Sequence, residues 1–408
     1  MGDAISIVQR GNLKALETTL RKQWRLGQNI VLCWSSTDNG LLVLLVPHYF
    51  LGNYSAVGDS NEENSNESFI RQLISGHRRR QREDFFEIAN RLGVAPTFIK
   101  LSVPLSEDEL VIDSVEQIIK RYGISYVSGR AVLLFDIAEF SLFTPFEQAS
   151  QLNSLSYSMN SAYNKLLTRG IEINFARTTT GDGYYVWNRD LGANANQDLF
   201  QFLLLVVADN ALAREASKGN TVPRIRMAYH IGSHYELYQA EGVNPTVFSY
   251  IVGDVTIELA RMVALARPGQ IFVGDFMVAV PEGSQPGGDM ISADSPRFIR
   301  HCSAQLRKLS GLQLGGENVA AIACQPALRE NSVGKNVARR FKLTDKHGLS
   351  RYAYSLQIHI EMENGTRWSL GLSDEELHNL RMTTRPAEDI TIEATGSYHV
   401  STLPKRSD

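Results

Sequence analysis

Apolar and polar positions in the middle of the chain alternate in blocks that predict a regular order of strands and helices. The stretch ISYVSGRAVLLFDI, at 124–137, becomes continuously apolar towards its end, which is typical of a strand buried on both faces. A long helical pattern follows, then a hairpin with the turn GDG, a strongly apolar helix and the strand pattern RIRMAYHIG. This β-α-β-β-α-β order is the ferredoxin-like plan, in which helices cover one face of a single sheet. We therefore expect an α+β fold for this region.

The same pattern divides the chain into three predicted domains. Residues 1–111 open with the helical stretch LKALETTLRKQWRLG and continue into strands, which indicates an additional N-terminal α/β region of unassigned, possible regulatory role. Residues 112–362 contain the ferredoxin-like plan and extend it with further helices and strands. Residues 363–408 contain the short helical pattern SDEELHNLR and then a Thr/Ser-rich tail, for which we predict an extended or mobile structure.

An arginine cluster, HRRRQRE at 77–83, precedes the helical pattern REDFFEIANRLG. Two interpretations stay open from sequence alone. The cluster either binds phosphate or another anionic surface, or forms a solvated helix face.

Composition and charge narrow the class of protein. The chain has 408 residues, a formal net charge of -3 and 43% hydrophobic residues, which is ample for a packed core and argues against nucleic acid as a partner. The longest apolar run, at 40–51, is too short to span a bilayer, and the N-terminus carries no secretory signal pattern. Cys33, Cys302 and Cys324 are widely spaced, which favours reduced thiols over disulfides or a zinc site. We expect a cytoplasmic protein without a membrane partner.

Two aspartates mark the predicted sheet edge. Asp136 ends the apolar strand, and Asp182 lies at the hairpin turn between Gly181 and Gly183. Taken singly, Asp136 is better explained as a strand-end cap and Asp182 as a turn residue. The ferredoxin-like order places strand and hairpin side by side, so that the two carboxylates meet and repel unless a cation lies between them. Mg²⁺ and Mn²⁺ prefer such oxygen ligands and commonly bind together with phosphates, and the pair therefore predicts a divalent metal site.

The residues around these aspartates resemble a known family. FDIAEFS, TTGDGYYVW, IRMAYHIG, VGDVTIELARMV and GQIFVGD follow one another as in the catalytic domain of class III nucleotide cyclases, over roughly residues 125–362. The resemblance implies a homodimer with composite active sites at the subunit interface. It also implies two divalent metal ions, Mn²⁺ or Mg²⁺, per active site, held by Asp136, Asp182 and the backbone carbonyl of Ile137.

Further site residues follow from the same resemblance. The amides after Asp136, including those of Phe140 and Ser141, would receive the triphosphate of a nucleotide substrate. Arg261 matches the catalytic arginine that the partner chain supplies to the transition state. Lys346 lies near the position of a triphosphate-binding lysine, with Lys342 as a competing choice. Ile257 departs from the family, which often has a ribose-orienting asparagine there.

The implied base pocket also departs from the family. Thr178 and Tyr250 stand where relatives carry purine-reading residues, and neither the adenylate nor the guanylate pattern is present. The bulk of Tyr250 favours a smaller base, with hydroxyl groups available for hydrogen bonds. Arg177 is a further candidate, facing either this pocket or solvent.

A second resemblance concerns the subfamily. FDIAEFS…FEQASQLNSLSYSMNSAY and ARTTTGDGYYVWNR are similar to the pyrimidine cyclases of the bacterial anti-phage systems called Pycsar. That similarity implies conversion of UTP or CTP, which the sequence does not distinguish, to a cyclic monophosphate that activates a separate effector protein. Two alternatives stay open: an adenylate cyclase that makes cyclic AMP from ATP, and a cyclase-like domain that binds a nucleotide or partner without catalysis.

Overall fold

A computed structural model describes residues 5–57, 65–240, 247–281, 289–330, 336–344, 348–383 and 390–393. The chain divides into two compact units. The first unit contains Met1–Ser128 and Ser233–Gly253, and the second contains Gly129–Gly232 and Asp254–Asp408. The domain boundaries at 111/112 and 362/363 remain predictions, because the division into compact units does not test where functional domains begin and end.

The first unit is built around a three-stranded antiparallel sheet in the order β1-β2-β3. Its helices and strands up to residue 121 are α1 (Ile7–Trp24), β1 (Asn29–Thr37), β2 (Gly40–Pro47), α2 (Phe50–Ala56), α3 (Asn66–Leu73), α4 (Arg82–Leu92), β3 (Thr97–Lys100) and α5 (Glu109–Arg121). Alternate residues of β1 enter two different clusters: Val31 packs with residues of α1 and α5, whereas Leu32 packs with residues of α3 and α4. Strand β2, which contains most of the apolar run at 40–51, is also largely buried.

Three arginines of the cluster fit neither interpretation drawn from the sequence, whereas Arg82 is exposed at the start of α4. Arg78 is fully buried, and its guanidinium donates to the carbonyl of Leu32 at 2.8 Å. Arg79 pairs with Glu107, and Arg80 donates to backbone carbonyls of its own segment, including that of His77 at 2.6 Å. These guanidinium groups are engaged in internal contacts because the segment crosses the packed core beside β1.

The second unit has the predicted ferredoxin-like order. Its strands and helices are β4 (Ile124–Ile137), α6 (Pro145–Leu167), β5 (Phe175–Thr179), β6 (Gly183–Asn188), α7 (Ala195–Ala216) and β7 (Ile225–Ala240). Residues 124–128 of β4 and residues 233–240 of β7 belong to the first unit. The four strands lie in the spatial order β7-β4-β6-β5, with the first and third strands adjacent. This is the arrangement that the β-α-β-β-α-β plan requires, and the fold is α+β.

Further helices and strands extend the plan, as predicted. They are β8 (Val247–Val252), α8 (Asp254–Leu265), β9 (Ile271–Gly274), β10 (Met277–Pro281), β11 (Met290–Asp294), α9 (Ser295–Gln305), β12 (Gln313–Leu314), β13 (Glu317–Pro326), β14 (Leu328–Glu330), β15 (Asn336–Ala338), β16 (Arg340–Thr344), β17 (Ser350–Met362), β18 (Arg367–Leu370), α10 (Asp374–Thr383) and β19 (Ile390–Glu393). Most of the strands enlarge the sheet, whereas β10–β11 and β14–β15 form separate two-stranded sheets. The sheet continues from β7 through β9, β17 and β13 to β12. β18 pairs with β17, and β19 pairs with β16, so residues beyond 362 also contribute strands.

The core of the second unit lies between this sheet and its helices. Leu133, Phe135 and Ile137 of β4 point into a cluster that includes residues of α6, α7 and α9. Helix α7 is buried over most of its circumference, in agreement with its nearly continuous apolar sequence. Asp136 therefore lies on the opposite face of β4, because successive strand side chains alternate.

Two further expectations concern thiols and membranes. Cys33, Cys302 and Cys324 are free thiols, as predicted, and all three are buried. Burial raises the pKa of Cys33 and of Cys324 to about 12, which keeps both protonated near neutral pH. Within the described ranges, no helix combines the length and apolar character needed to cross a bilayer.

Candidate functional site

The two predicted metal aspartates are neighbours at one edge of the sheet. Strands β4 and β6 are antiparallel, and Asp136 is paired with Gly183, the residue after Asp182. The amide of Ile137 donates to the carbonyl of Asp182 at 2.9 Å. The backbone of the hairpin turn is therefore fixed directly against the end of the central strand.

Two glycines permit this close approach, each for a different reason. Gly181 adopts a φ of +102°, a conformation that side chains other than hydrogen disfavour. A Cβ on Gly183 would lie only 1.9 Å from the carbonyl oxygen of Phe135. The turn GDG thus combines a left-handed residue with one that allows β4 and β6 to approach closely.

Arg226 is the residue of this site that the sequence interpretation did not identify. Its Nε donates to Oδ2 of Asp136 at 2.7 Å, and its Nη2 contacts the same oxygen. β7 is adjacent to β4, and the amide of Ala138 donates to the carbonyl of Arg224 at 2.8 Å. Strand side chains alternate, so Arg226 lies on the face opposite the buried Met227. The alternation in IRMAYHIG was therefore the sequence signal that could have placed Arg226 on the same face as Asp136.

Opposing electrostatic effects act on Asp136, which is only 9% exposed. Burial raises the pKa of the Asp136 carboxyl, and the nearby negative charge of Asp182 adds to that rise, whereas Arg226 lowers it. Burial has the largest effect, so the net direction is upward.

The donor groups at this edge fit a hard divalent cation. The two carboxylates supply oxygen ligands of the kind that Mg²⁺ and Mn²⁺ prefer. The hydroxyl of Thr180 donates to Oδ1 of Asp182 at 3.2 Å, which orients that carboxylate. Among the described residues, no group of three or more His, Cys, Asp or Glu side chains forms a metal-binding cluster. Backbone carbonyl, substrate and water oxygens would therefore have to complete the coordination.

The segment after Asp136 forms a short turn suited to its predicted role. Glu139 has a φ of +59°, and a single 3-10 turn follows at Phe140–Leu142. Ser141 is exposed and Phe140 is half-buried. In the described part of the chain, the hydrogen bonds of this segment do not use the amides of Glu139, Phe140 or Ser141. These amides are available to an anionic ligand.

The predicted base-pocket residues on β5 lie on opposite faces of the hairpin. Thr178 is paired with Tyr185, which is paired on its other side with Leu134, so Thr178 shares the face of Asp136. Arg177 is on the other face, with its guanidinium 5.6 Å from the ring centroid of Tyr184. The structure therefore does not bring Arg177 and Thr178 to a common surface.

Helix α8 is joined to this hairpin within the second unit. The hydroxyl of Tyr185 donates to the carbonyl of Thr256 at 2.9 Å, one residue before Ile257. Ile257 is 48% exposed, and Arg261 follows it by one helical turn on α8. Glu258, the residue after Ile257, forms an ion pair with Arg351 at 2.6 Å.

Three further predicted residues belong to other strands or fall outside the described residues. Tyr250 belongs to the first unit, where β8 pairs it with Leu237 of β7. Lys342 is half-buried on β16 and is paired with Tyr352 of β17. Lys346 lies outside the described residues, so the choice between the two lysines stays open.

Comparison with known proteins gives structural matches only. No family model matches the sequence, and no curated protein matches it. The guanylate cyclase domain of RhGC from Catenaria anguillulae, in complex with GTP, is 14% identical, covers 56% of this chain and 97% of that chain, and has a TM-score of 0.31. The guanylyl cyclase Cya2 is 14% identical, with 57% and 92% covered and a TM-score of 0.32. The adenylyl cyclase CyaB from P. aeruginosa is 11% identical, with 57% and 95% covered and a TM-score of 0.33. Values this low do not establish a family, and the activity has to be argued from the site.

Proposed function

We propose that this protein is a metal-dependent nucleotide cyclase. The observation that carries the proposal is the fixed juxtaposition of two carboxylates, in which Asp136 pairs with Gly183 and the Ile137 amide binds the Asp182 carbonyl. A turn with available amides follows Asp136 on the same strand. A carboxylate pair beside available amides suits a substrate that brings both a metal ion and a phosphate chain.

In the proposed reaction, the 3′-oxygen of the ribose forms a bond to the α-phosphorus. The bond from that phosphorus to the bridging oxygen breaks, pyrophosphate leaves, and the hydroxyl proton passes to solvent. A bound Mg²⁺ or Mn²⁺ would lower the pKa of the 3′-hydroxyl and neutralise phosphate charge. Asp136 and Asp182 would hold two such ions together with the Ile137 carbonyl, while the amides through Phe140 and Ser141 bind the triphosphate.

The proposed substrate is a pyrimidine nucleoside triphosphate, UTP or CTP. Thr178 shares the face of the strand that carries Asp136, and both Thr178 and Tyr250 differ from purine-reading residues in type. The cyclic product would serve as a second messenger in anti-phage defence by activating a separate effector protein. Arg261 of one copy would complete the site of another in a homodimer, and Lys346 or Lys342 would contact the triphosphate.

The proposal is tested by product identification. Purified protein is incubated with ATP, GTP, UTP or CTP in the presence of Mn²⁺. The cyclic products are separated by chromatography and identified by mass spectrometry. We expect cyclic UMP or cyclic CMP, and a loss of about 100-fold or more in Asp182→Asn because one metal carboxylate is removed.

Asp38→Asn is the matched control, since Asp38 is exposed at the β1–β2 turn of the first unit and carries the same change in charge. Cyclic AMP from ATP alone would replace the pyrimidine proposal with the adenylate cyclase alternative. No product from any of the four nucleotides would favour a binding domain without catalysis.

A further inference from the structure

The contact between Arg226 and Asp136 bears on how the site accepts a cation. Both contacts from the guanidinium go to Oδ2 of Asp136, one from Nε at 2.7 Å and one from Nη2. The side chains of the pair are 25% and 12% exposed, so water screens them only partly. A permanent positive charge thus lies against one of the two carboxylates proposed to hold a metal.

The backbone holds Arg226 in this position. Its neighbours along β7, Ile225 and Met227, are both buried, and Met227 is paired with Ile271 of β9. The side chain therefore projects from a strand that is fixed on both sides. An arginine cannot lose its charge near neutral pH, so this positive charge is always present.

We infer that Arg226 is an internal counter-ion of the two-aspartate site, which orients Asp136 and weakens the binding of a free divalent cation. This inference rests on the proposed metal site. Arg226 cancels one of the two negative charges, so the site attracts Mn²⁺ less strongly than the bare pair. It also fixes Oδ2 of Asp136, and a cation would be bound mainly through the remaining oxygen and through Asp182.

The inference predicts an unusual direction for a mutation at a functional site. Arg226→Gln should bind Mn²⁺ about 10-fold or more tightly than the wild-type protein, since a partly buried positive charge is removed from its vicinity. The measurement is a titration of the free protein with Mn²⁺, followed by the electron paramagnetic resonance signal of unbound Mn²⁺, at about pH 8 where carboxyl groups are ionised. No nucleotide is present, so the readout does not depend on catalysis.

Three further variants make the test specific. Arg226→Lys keeps the charge and should bind Mn²⁺ more weakly than Arg226→Gln. Arg340→Gln removes a different arginine, paired with Asp275 on the same unit, and should leave the affinity near that of wild type. If Arg226→Gln does not fold, Arg226→Met replaces it, because the apolar stem preserves packing.

The outcomes separate this inference from the proposed function. Unchanged or weaker Mn²⁺ binding in Arg226→Gln would overturn the counter-ion role, as would equal tightening in Arg226→Lys or Arg340→Gln. Asp182→Asn reports on the site itself: if it binds Mn²⁺ as well as the wild type does, the carboxylate pair is not the metal site and the proposed function fails with it.

Discussion

At the scale of single residues, the site depends on Gly183, because a side chain at this position would overlap the backbone of β4. Gly183 has no side chain, and three backbone atoms lie within 3.0 Å of where its Cβ would be: the carbonyl oxygen and carbon of Phe135 and the Cα of Asp136. These atoms belong to the central strand and cannot rotate away as a flexible side chain would. The spacing between the two aspartates therefore depends on this glycine.

We predict that Gly183→Ala separates β4 from β6 and lowers the free energy of unfolding by more than about 2 kcal/mol, because the added methyl group overlaps backbone. Cyclase activity should fall with it. Chemical unfolding followed by circular dichroism measures the first effect, and product formation the second.

Gly192→Ala is the control for this substitution. A Cβ at Gly192 would have no atom within 4 Å, and its backbone does not need a positive φ. Its stability should remain within about 0.5 kcal/mol of wild type. Equal losses in the two variants would show that the close approach at Gly183 is not what matters.

At the scale of elements, one helix residue organises the arginine segment of the first unit. Glu116 of α5 is 3% exposed and accepts hydrogen bonds from the Trp34 indole at 2.8 Å and from the amides of Arg78 and Arg79 at 2.9 and 2.7 Å. Burial lowers the pKa of Arg78 to about 10, and the charge of Glu116 opposes that change. The Glu116 carboxylate thus provides a buried acceptor for two backbone amides and the Trp34 indole, and its charge favours the charged form of Arg78.

We predict that Glu116→Ala destabilises the protein by about 3 kcal/mol or more, because it leaves the Trp34 indole and the amides of Arg78 and Arg79 without their buried acceptor. Urea unfolding followed by tryptophan fluorescence provides the measurement, since Trp34 is itself a partner of Glu116.

Glu107→Ala removes the same side-chain type from a neighbouring arginine and is the matched comparison. Glu107 pairs with Arg79, but its side chain is 67% exposed, so the loss should stay within about 1 kcal/mol. If both variants lost the same small amount, Glu116 would not have the organising role assigned to it.

At the scale of the whole molecule, the proposed homodimer would assemble each active site from two copies of the chain. Asp182 and Arg261 are both in the second unit, on the β5–β6 turn and on α8. The class III resemblance implies that each active site takes its aspartates from one copy and its arginine from the other. A chain that lacks either Asp182 or Arg261 would then not form a complete site with an identical copy of itself.

We predict that Asp182→Asn and Arg261→Ala, each nearly inactive, recover activity when they are mixed. A mixed dimer contains one site with both substitutions and one site with neither. If the copies exchange freely, about half of the dimers are mixed, and activity should approach a quarter of wild type, since half of their sites are intact. Absence of recovery after co-expression would contradict the composite site.

The sequence by itself determined the order of the elements from β4 to β7 and the proximity of the two aspartates. Both follow from local information: a run of buried residues in β4, a glycine-flanked turn and the known adjacency of the first and third strands in this plan. Helix α7 was equally clear, since its apolar residues leave little polar face. Strands β8, β10 and β13 were not predicted, because each depends on its partner strand more than on its own pattern.

The tertiary structure alone decided which charges meet. Arg226 and Asp136 are 90 positions apart, and only the alignment of β7 beside β4 brings them together. Arg78 is buried although its sequence context suggested a surface. Backbone carbonyls such as that of Leu32 accept hydrogen bonds from its guanidinium, and Glu116 accepts from its amide. Arg177 and Thr178 are adjacent in sequence and face opposite ways, since a strand alternates its side chains. Side-chain environment is a property of packing between distant segments, which no local pattern contains.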